Sequence, residues 1–171
     1  MALHLIIDGY NFIRQSPHLS SIELRDFQKG REALLGSLAR YKSVKGHRIT
    51  VIFDGWKGGD CKETHDRVNG VRVIYSRLGE TADEVIKRMV REEGERAVVI
   101  TADSDIASFT LRENATVISP HEFEQKIAEA LSCAAKGLES EDDYNNVTKR
   151  RGAARRPSRA QRRCQGRLKK L

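Results

Sequence analysis

Short apolar runs that stop at an aspartate recur along this chain. Leu5-Ile6-Ile7 ends at Asp8, Val51-Ile52-Phe53 at Asp54, and Val98-Val99-Ile100-Thr101-Ala102 at Asp103, with Asp105 two residues on. A run apolar at every position suits a strand covered on both faces, and such strands belong to parallel sheets flanked by helices. If the three lie in one sheet, their carboxylates converge on its carboxyl edge, where open α/β sheets bind ligands. Thr81-Ala82-Asp83-Glu84 adds another acid at a helix start.

The intervening segments fit that architecture. Ser20 or Ser21 is expected to cap a helix reaching about Lys42, because Leu24, Phe27, Leu34, Leu35, Leu38 and Tyr41 recur at steps of three and four. Strands are expected over 3–7, 48–54, 71–76, 97–101 and 115–118, and helices over 82–93, 104–112 and from Pro120 to about Lys136. Thr81 and Glu84 have capping-box spacing. The Gly-rich stretch 54–60 reads as a loop leaving a strand's carboxyl end. Strand and helix alternate, so the expected fold class is α/β, a three-layer α/β/α sandwich around a mostly parallel sheet of about five strands.

The overall charge of +7 is unevenly placed along the 171 residues. Residues 149–171 hold eleven of the 31 Lys and Arg and no acid, so residues 1–148 carry 20 cations against 24 Asp and Glu, a net −4. Residues 1–137 are therefore expected to form the domain, and residues 138–171 an acidic linker with a basic tail too poor in apolar groups to fold alone. Cys61, Cys133 and Cys164 lack metal-ligand spacing and are expected to be reduced and unpaired. With neither a basic leader nor an apolar run of bilayer length, the expected location is the cytoplasm.

Carboxylates crowded at one edge raise each other's pKa unless a cation lies between them. Mg²⁺ or Mn²⁺, with its preference for oxygen ligands, water and phosphate, answers that problem. Asp8, Asp54, Asp83, Asp103 and Asp105 thus suggest a metal site of the kind that hydrolyses phosphodiesters, the ion activating water and neutralising charge on the transition state. Each acid also has a plainer explanation: an aspartate after a strand can cap the next turn or helix, and one in a first turn favours the helix dipole. Their joint occurrence carries the functional reading.

The motifs Asp8-Gly9-Tyr10-Asn11, Phe53-Asp54-Gly55, Thr81-Ala82-Asp83-Glu84 and Thr101-Ala102-Asp103-Ser104-Asp105 resemble, in this order and over about residues 3–136, the NYN domains of the PIN-like nuclease superfamily. The similarity is greatest to the YacP-like branch, which implies a ribosome-associated endoribonuclease. On that resemblance, Asp8, Asp83, Asp103 and Asp105 match the family's metal and catalytic acids, and Asn11 the polar residue that helps hold water or phosphate. Thr101 matches the hydroxyl residue before the acidic pair. Asp54 matches a more variable acid, and Glu84 is read as a capping residue.

An acidic site that receives a polyanion needs positive charge nearby. Lys57, Lys62, Arg67, Arg72 and Arg77 lie in or near the segment after Asp54, and Trp56 offers a stacking face. His65 lies close to those lysines. In the tail, Arg150, Arg151, Arg155, Arg156, Arg162 and Arg163 suit salt-dependent binding of RNA, including mRNA on the ribosome. A receiver domain shares the strand-end acids but needs an acidic pair after the first strand and a lysine before the proline after the fifth, where this chain has Gly-Tyr-Asn and Ser119. The remaining alternative is a non-catalytic RNA- or ribosome-binding module.

Overall fold

The computed structural model describes residues 3–55, 62–135, 166, 167 and 169–171. Strand β1 (His4–Asp8) is buried along its whole length. It pairs in parallel with β2 (Arg48–Phe53) on one side and β5 (Ala97–Ile100) on the other. The sheet continues through β4 (Val71–Tyr75), parallel to β2, and β6 (Thr116–Ile118), parallel to β5. Hence the apolar runs are apolar throughout: each lies between two helical layers.

A sixth strand, β3 (Thr64–Val68), pairs antiparallel with β4 and completes the order β3-β4-β2-β1-β5-β6. The sequence reading expected five strands and missed this one for a physical reason. Its residues, Thr-His-Asp-Arg-Val, are almost all exposed, so an edge strand carries no apolar periodicity to read.

Helices α1 (Gly9–Gln15), α2 (Pro17–Glu23), α3 (Phe27–Lys45) and α6 (Pro120–Ala135) contribute to one core layer. Leu5, Ile7, Val51, Phe53, Val98 and Ile100 meet Phe12, Leu34, Leu38, Tyr41 and Phe123 there. Helices α4 (Ala82–Glu93) and α5 (Ser104–Arg112) cover the opposite face over Ile6, Ile52, Ile74 and Val99. The expected helix from Ser20 to Lys42 is replaced by α2 and α3. Ser16 caps α2 with Pro17 in its first turn, and Asp26 caps α3 through the N–H groups of Gln28 and Lys29. The caps restart the chain where hydrophobic spacing alone suggested continuity. Helix α4 has the bounds expected, with the Thr81–Glu84 capping box formed in both directions.

The last residues also depart from the sequence reading. Leu171 is only 3 % exposed and belongs to the α3/α6 core, where the Tyr41 hydroxyl donates to its carbonyl at 2.9 Å. His47 Nε2 is 3.0 Å from the Lys170 carbonyl oxygen, and Arg167 donates to Thr116 Oγ1 at 2.8 Å. These partners sit at the amino edge of the sheet, beside the starts of β2 and β6. One apolar side chain and a few hydrogen bonds tie this end down, a density too low to register as periodicity. Residues 136–165 lie outside the described residues, with Cys164 among them, as does Cys61; Cys133 is free and exposed.

Candidate functional site

The sheet order creates a crevice at one place. From β1 the chain moves outward to β2 and β4, then returns through α4 to β5 on the other side of β1. Helix α1, which follows β1, packs on one face, and α5, which follows β5, on the other. The two loops separate at the carboxyl ends of β1 and β5, the switch point where α/β sheets bind ligands. Asp8 ends β1, and Asp103 follows β5 and caps α5.

Local hydrogen bonds hold the acids there. Asp8 Oδ1 caps α1 by accepting from the Asn11 N–H at 3.2 Å, and Asp103 Oδ1 accepts from Asp105 and Ile106 at 2.8 and 3.0 Å. Asp54 Oδ1 accepts from the Ala82 N–H at 2.6 Å, tying the end of β2 to the start of α4 and bringing Asp83 to the same edge. Asn11 spans the crevice: its Oδ1 accepts from the Ala102 N–H at 2.9 Å. Thr101 Oγ1 accepts from the Asp103 N–H at 3.0 Å. The capping explanation therefore holds for one oxygen each of Asp8, Asp54 and Asp103. Their second oxygens take no hydrogen bond from a described residue and remain available to a ligand.

The electrostatics show that these groups feel one another. Burial is the main reason the Asp8 carboxyl rises to about 6, with the negative charges of Asp83, Asp54 and Asp103 adding to it against the Asn11 hydrogen bond. Asp83 is likewise raised, first by burial and then by Asp103, with Asp54 and Asp105 contributing; Lys87, one turn along α4, opposes them. Asp105 is exposed in the first turn of α5 and acts on this group only through its charge.

The available donors are carboxylate and amide oxygens, a hard set suited to Mg²⁺ or Mn²⁺ and unsuited to a soft metal. Among the described residues, no group of three or more His, Cys, Asp or Glu forms a ready-made metal cage. A magnesium-type ion takes one or two direct carboxylates and completes its shell with water and phosphate oxygens. Asp8, Asp83 and Asp103, whose charges act on one another at this edge, are the residues that could hold one.

The basic residues singled out from the sequence disperse. Arg77 Nε is 3.2 Å from Glu80 Oε2, so its charge is already matched. Arg67 lies opposite Arg72 near the amino half of the β3–β4 pair, away from the acids. Lys62 is exposed before β3, and Arg72 and His65 contact each other at 3.1 Å, with His65 also 2.8 Å from Glu63. Lys57, Trp56 and the tail residues from Arg150 to Arg163 lie outside the described residues. The cation whose charge acts on the acids is Lys87, while Arg14 and Arg31 lie over aromatic rings on the α1 side of the sheet. Helical spacing was their only sequence signal: Lys87 stands four residues after Asp83.

Comparison with known proteins agrees with this geometry. "Uncharacterized protein YacP" of Bacillus subtilis (strain 168) is 37% identical over 89 residues, 51% of this chain and 51% of that protein, so the chain matches about half the length of this curated relative. The crystal structure of Rae1 (YacP) from Bacillus subtilis superposes with a TM-score of 0.64 at 29% identity, covering 81% of this chain and 80% of that one. A tryptophan-to-leucine mutant of the same protein gives 0.65 at 25% identity, over 78% and 80%. The profile of the YacP-like NYN domain matches residues 5–164. With its acids at the switch point of a PIN-like sheet, the chain belongs to the YacP-like NYN family, a family of nuclease-like domains.

Proposed function

We propose that this protein is a metal-dependent endoribonuclease that hydrolyses RNA phosphodiester bonds at the carboxyl edge of its sheet. The observation that carries the proposal is the gathering of Asp8, Asp54, Asp83 and Asp103 from four chain segments into one mutually repelling group. Asp8 and Asp103, with Asp83 beside them, would hold Mg²⁺ or Mn²⁺. When bound, such an ion supplies a stronger water nucleophile at neutral pH and positive charge at the phosphate. Asn11 fixes the spacing between the Asp8 and Asp103 loops through Ala102, and its amide NH₂ is available to orient water or a phosphate oxygen. Asp54 and Asp105 shape the field around the directly ligating acids.

Among the described residues, no paired histidines stand at this edge to serve as general base and acid for attack by the ribose 2′-hydroxyl. Hydrolysis by water leaves a 5′-phosphate and a 3′-hydroxyl. The net −4 of residues 1–148 works against RNA binding by the domain, so the eleven cations of residues 149–171 are proposed to concentrate it on RNA, including ribosome-associated mRNA in the cytoplasm. No described helix is long and apolar enough to cross a membrane.

The test is RNA cleavage with Mg²⁺ or Mn²⁺ by the wild type beside Asp8→Asn and Asp103→Asn. Metal-dependent cleavage, lost about 100-fold or more in both variants and giving 5′-phosphate ends, is expected. Equal cleavage by all three proteins, or 2′,3′-cyclic phosphate products, would overturn it. Tight RNA binding with no cleavage under either metal would leave the non-catalytic binding module as the correct reading.

A further inference from the structure

A row of aromatic rings borders the acids on the α1 side of the sheet. Tyr10, two residues after Asp8, packs against Phe53 at 4.9 Å and Phe27 at 5.2 Å between ring centres. Phe53, the residue before Asp54, in turn stacks on Tyr75 at 5.8 Å, with planes 22° apart. Phe53 is fully buried and anchors the row, while Tyr10 and Tyr75 each keep part of their surface in solvent. An ordinary core would close over such rings with aliphatic side chains.

Two arginines cover them instead. The Arg31 guanidinium lies 5.3 Å from the Phe27 ring centre and 5.8 Å from that of Tyr75, and Arg14 lies 5.9 Å from that of Tyr10. Arg14 is exposed and makes no ion pair with a described acid. Arg31 donates to Gln28 Oε1, while its Nε is buried without a hydrogen-bond partner. The exposed Arg14 guanidinium keeps N–H groups directed outward, where they can hydrogen-bond an anion. The two arginines stand on α1, the helix that Asp8 caps, and on α3, which packs on the same face of the sheet, within residues 1–148, whose net charge is negative. Helix α1 carries Arg14 six residues beyond Asp8, about 9 Å of rise, so the two reach neighbouring nucleotides and not one phosphate.

Partly exposed tyrosines beside an exposed guanidinium, whose plane can itself stack on a base, recognise an unstacked base with its phosphate, which only a single strand presents; a duplex keeps its base faces inside. We propose that Tyr10 and Tyr75, with Arg14 and Arg31, form a nucleotide subsite next to Asp8 that takes an unpaired stretch of the RNA. The subsite makes the enzyme selective for single-stranded regions. This rests on the reading of the acids as the cleavage site, and the experiment separates the two.

Fluorescence anisotropy with the full chain would compare a short labelled oligouridylate with a blunt RNA duplex, for wild type, Arg14→Ala, Tyr10→Leu and Tyr10→Phe, in EDTA so that no cleavage intervenes. Arg14→Ala and Tyr10→Leu are expected to weaken single-strand binding about fivefold or more, leave duplex binding within about twofold, and Tyr10→Phe to bind like the wild type. Where the wild type cleaves, the same two variants should raise KM by a similar factor with little change in kcat. Arg14→Ala changes an exposed residue and folds regardless; a thermal melt checks Tyr10→Leu. Single-strand binding within about twofold of wild type for Arg14→Ala, or equal losses on both RNAs, overturns the subsite. Absence of wild-type cleavage overturns only the nuclease reading, because the binding comparison does not depend on it.

Discussion

Asp8 serves two purposes that pull its ionisation in opposite directions. One oxygen caps α1 and favours the charged form, whereas burial and the neighbouring acids push its pKa from 3.8 to about 6. An acid whose folded pKa is raised contributes its stability below the unfolded value, and that contribution is lost as pH rises through the folded value. Between about pH 4 and 6 the metal-free fold therefore loses at most about 3 kcal/mol through this group. Asparagine caps a helix about as well as aspartate and carries no charge. Asp8→Asn is expected to stabilise the protein by about 1–3 kcal/mol near pH 8 in EDTA, with the gain vanishing near pH 4, as urea denaturation at the two pH values would show. Added Mg²⁺ should stabilise the wild type more than the variant. A variant less stable than the wild type near pH 8 would contradict the raised pKa.

Among the elements, the turn from β1 into α1 depends on a close approach. A Cβ at Gly9 would stand 2.3 Å from the Phe53 ring, so α1 packs directly on the side chain before Asp54. That contact sets how near Asp8 and Tyr10 come to the end of β2. Gly9→Ala is expected to destabilise the domain by about 1–3 kcal/mol, and Phe53→Leu to recover part of that loss in a double-mutant cycle read by denaturation. Additive effects would show that the ring moves aside freely. A local signal made some elements legible in the sequence: Thr81 and Glu84 bond only each other's backbone, so the start of α4 could be read from four residues. The division between α2 and α3 turned on Asp26, whose capping role competes with an apolar spacing that runs straight through it.

At the scale of the whole molecule, the two edges of the sheet have separate tasks. The carboxyl edge collects charge, while the amino edge receives the end of the chain, with Leu171 in the core and Arg167 bonded to Thr116 and 3.9 Å from Glu95. The last residues are therefore part of the domain's stability. Leu171→Ala is expected to lower the unfolding free energy by about 1–3 kcal/mol. Chemical denaturation beside Lys169→Ala, expected within about 0.5 kcal/mol of wild type, would check it.

The amino-acid sequence by itself determined the buried strands, the α/β class and the identity of the acids, because a strand covered on both faces is mostly apolar, its few polar groups paired as His4 is with Thr50, and carboxylates appear where it ends. It could not determine which strands are neighbours. The placement of β1 between β2 and β5 is a long-range choice, and it alone turns Asp8 and Asp103 into two sides of one crevice bridged by Asn11. Tertiary structure also decided which cations are paired and which lie over aromatic rings. Arg77 is matched by Glu80 and Arg67 lies far along the edge hairpin, whereas Arg14 and Arg31, unremarkable in the sequence, settle over rings beside the acids. Charge is a property of a residue, but the field that substrate meets is set by distance and pairing, and those exist only after the chain has folded.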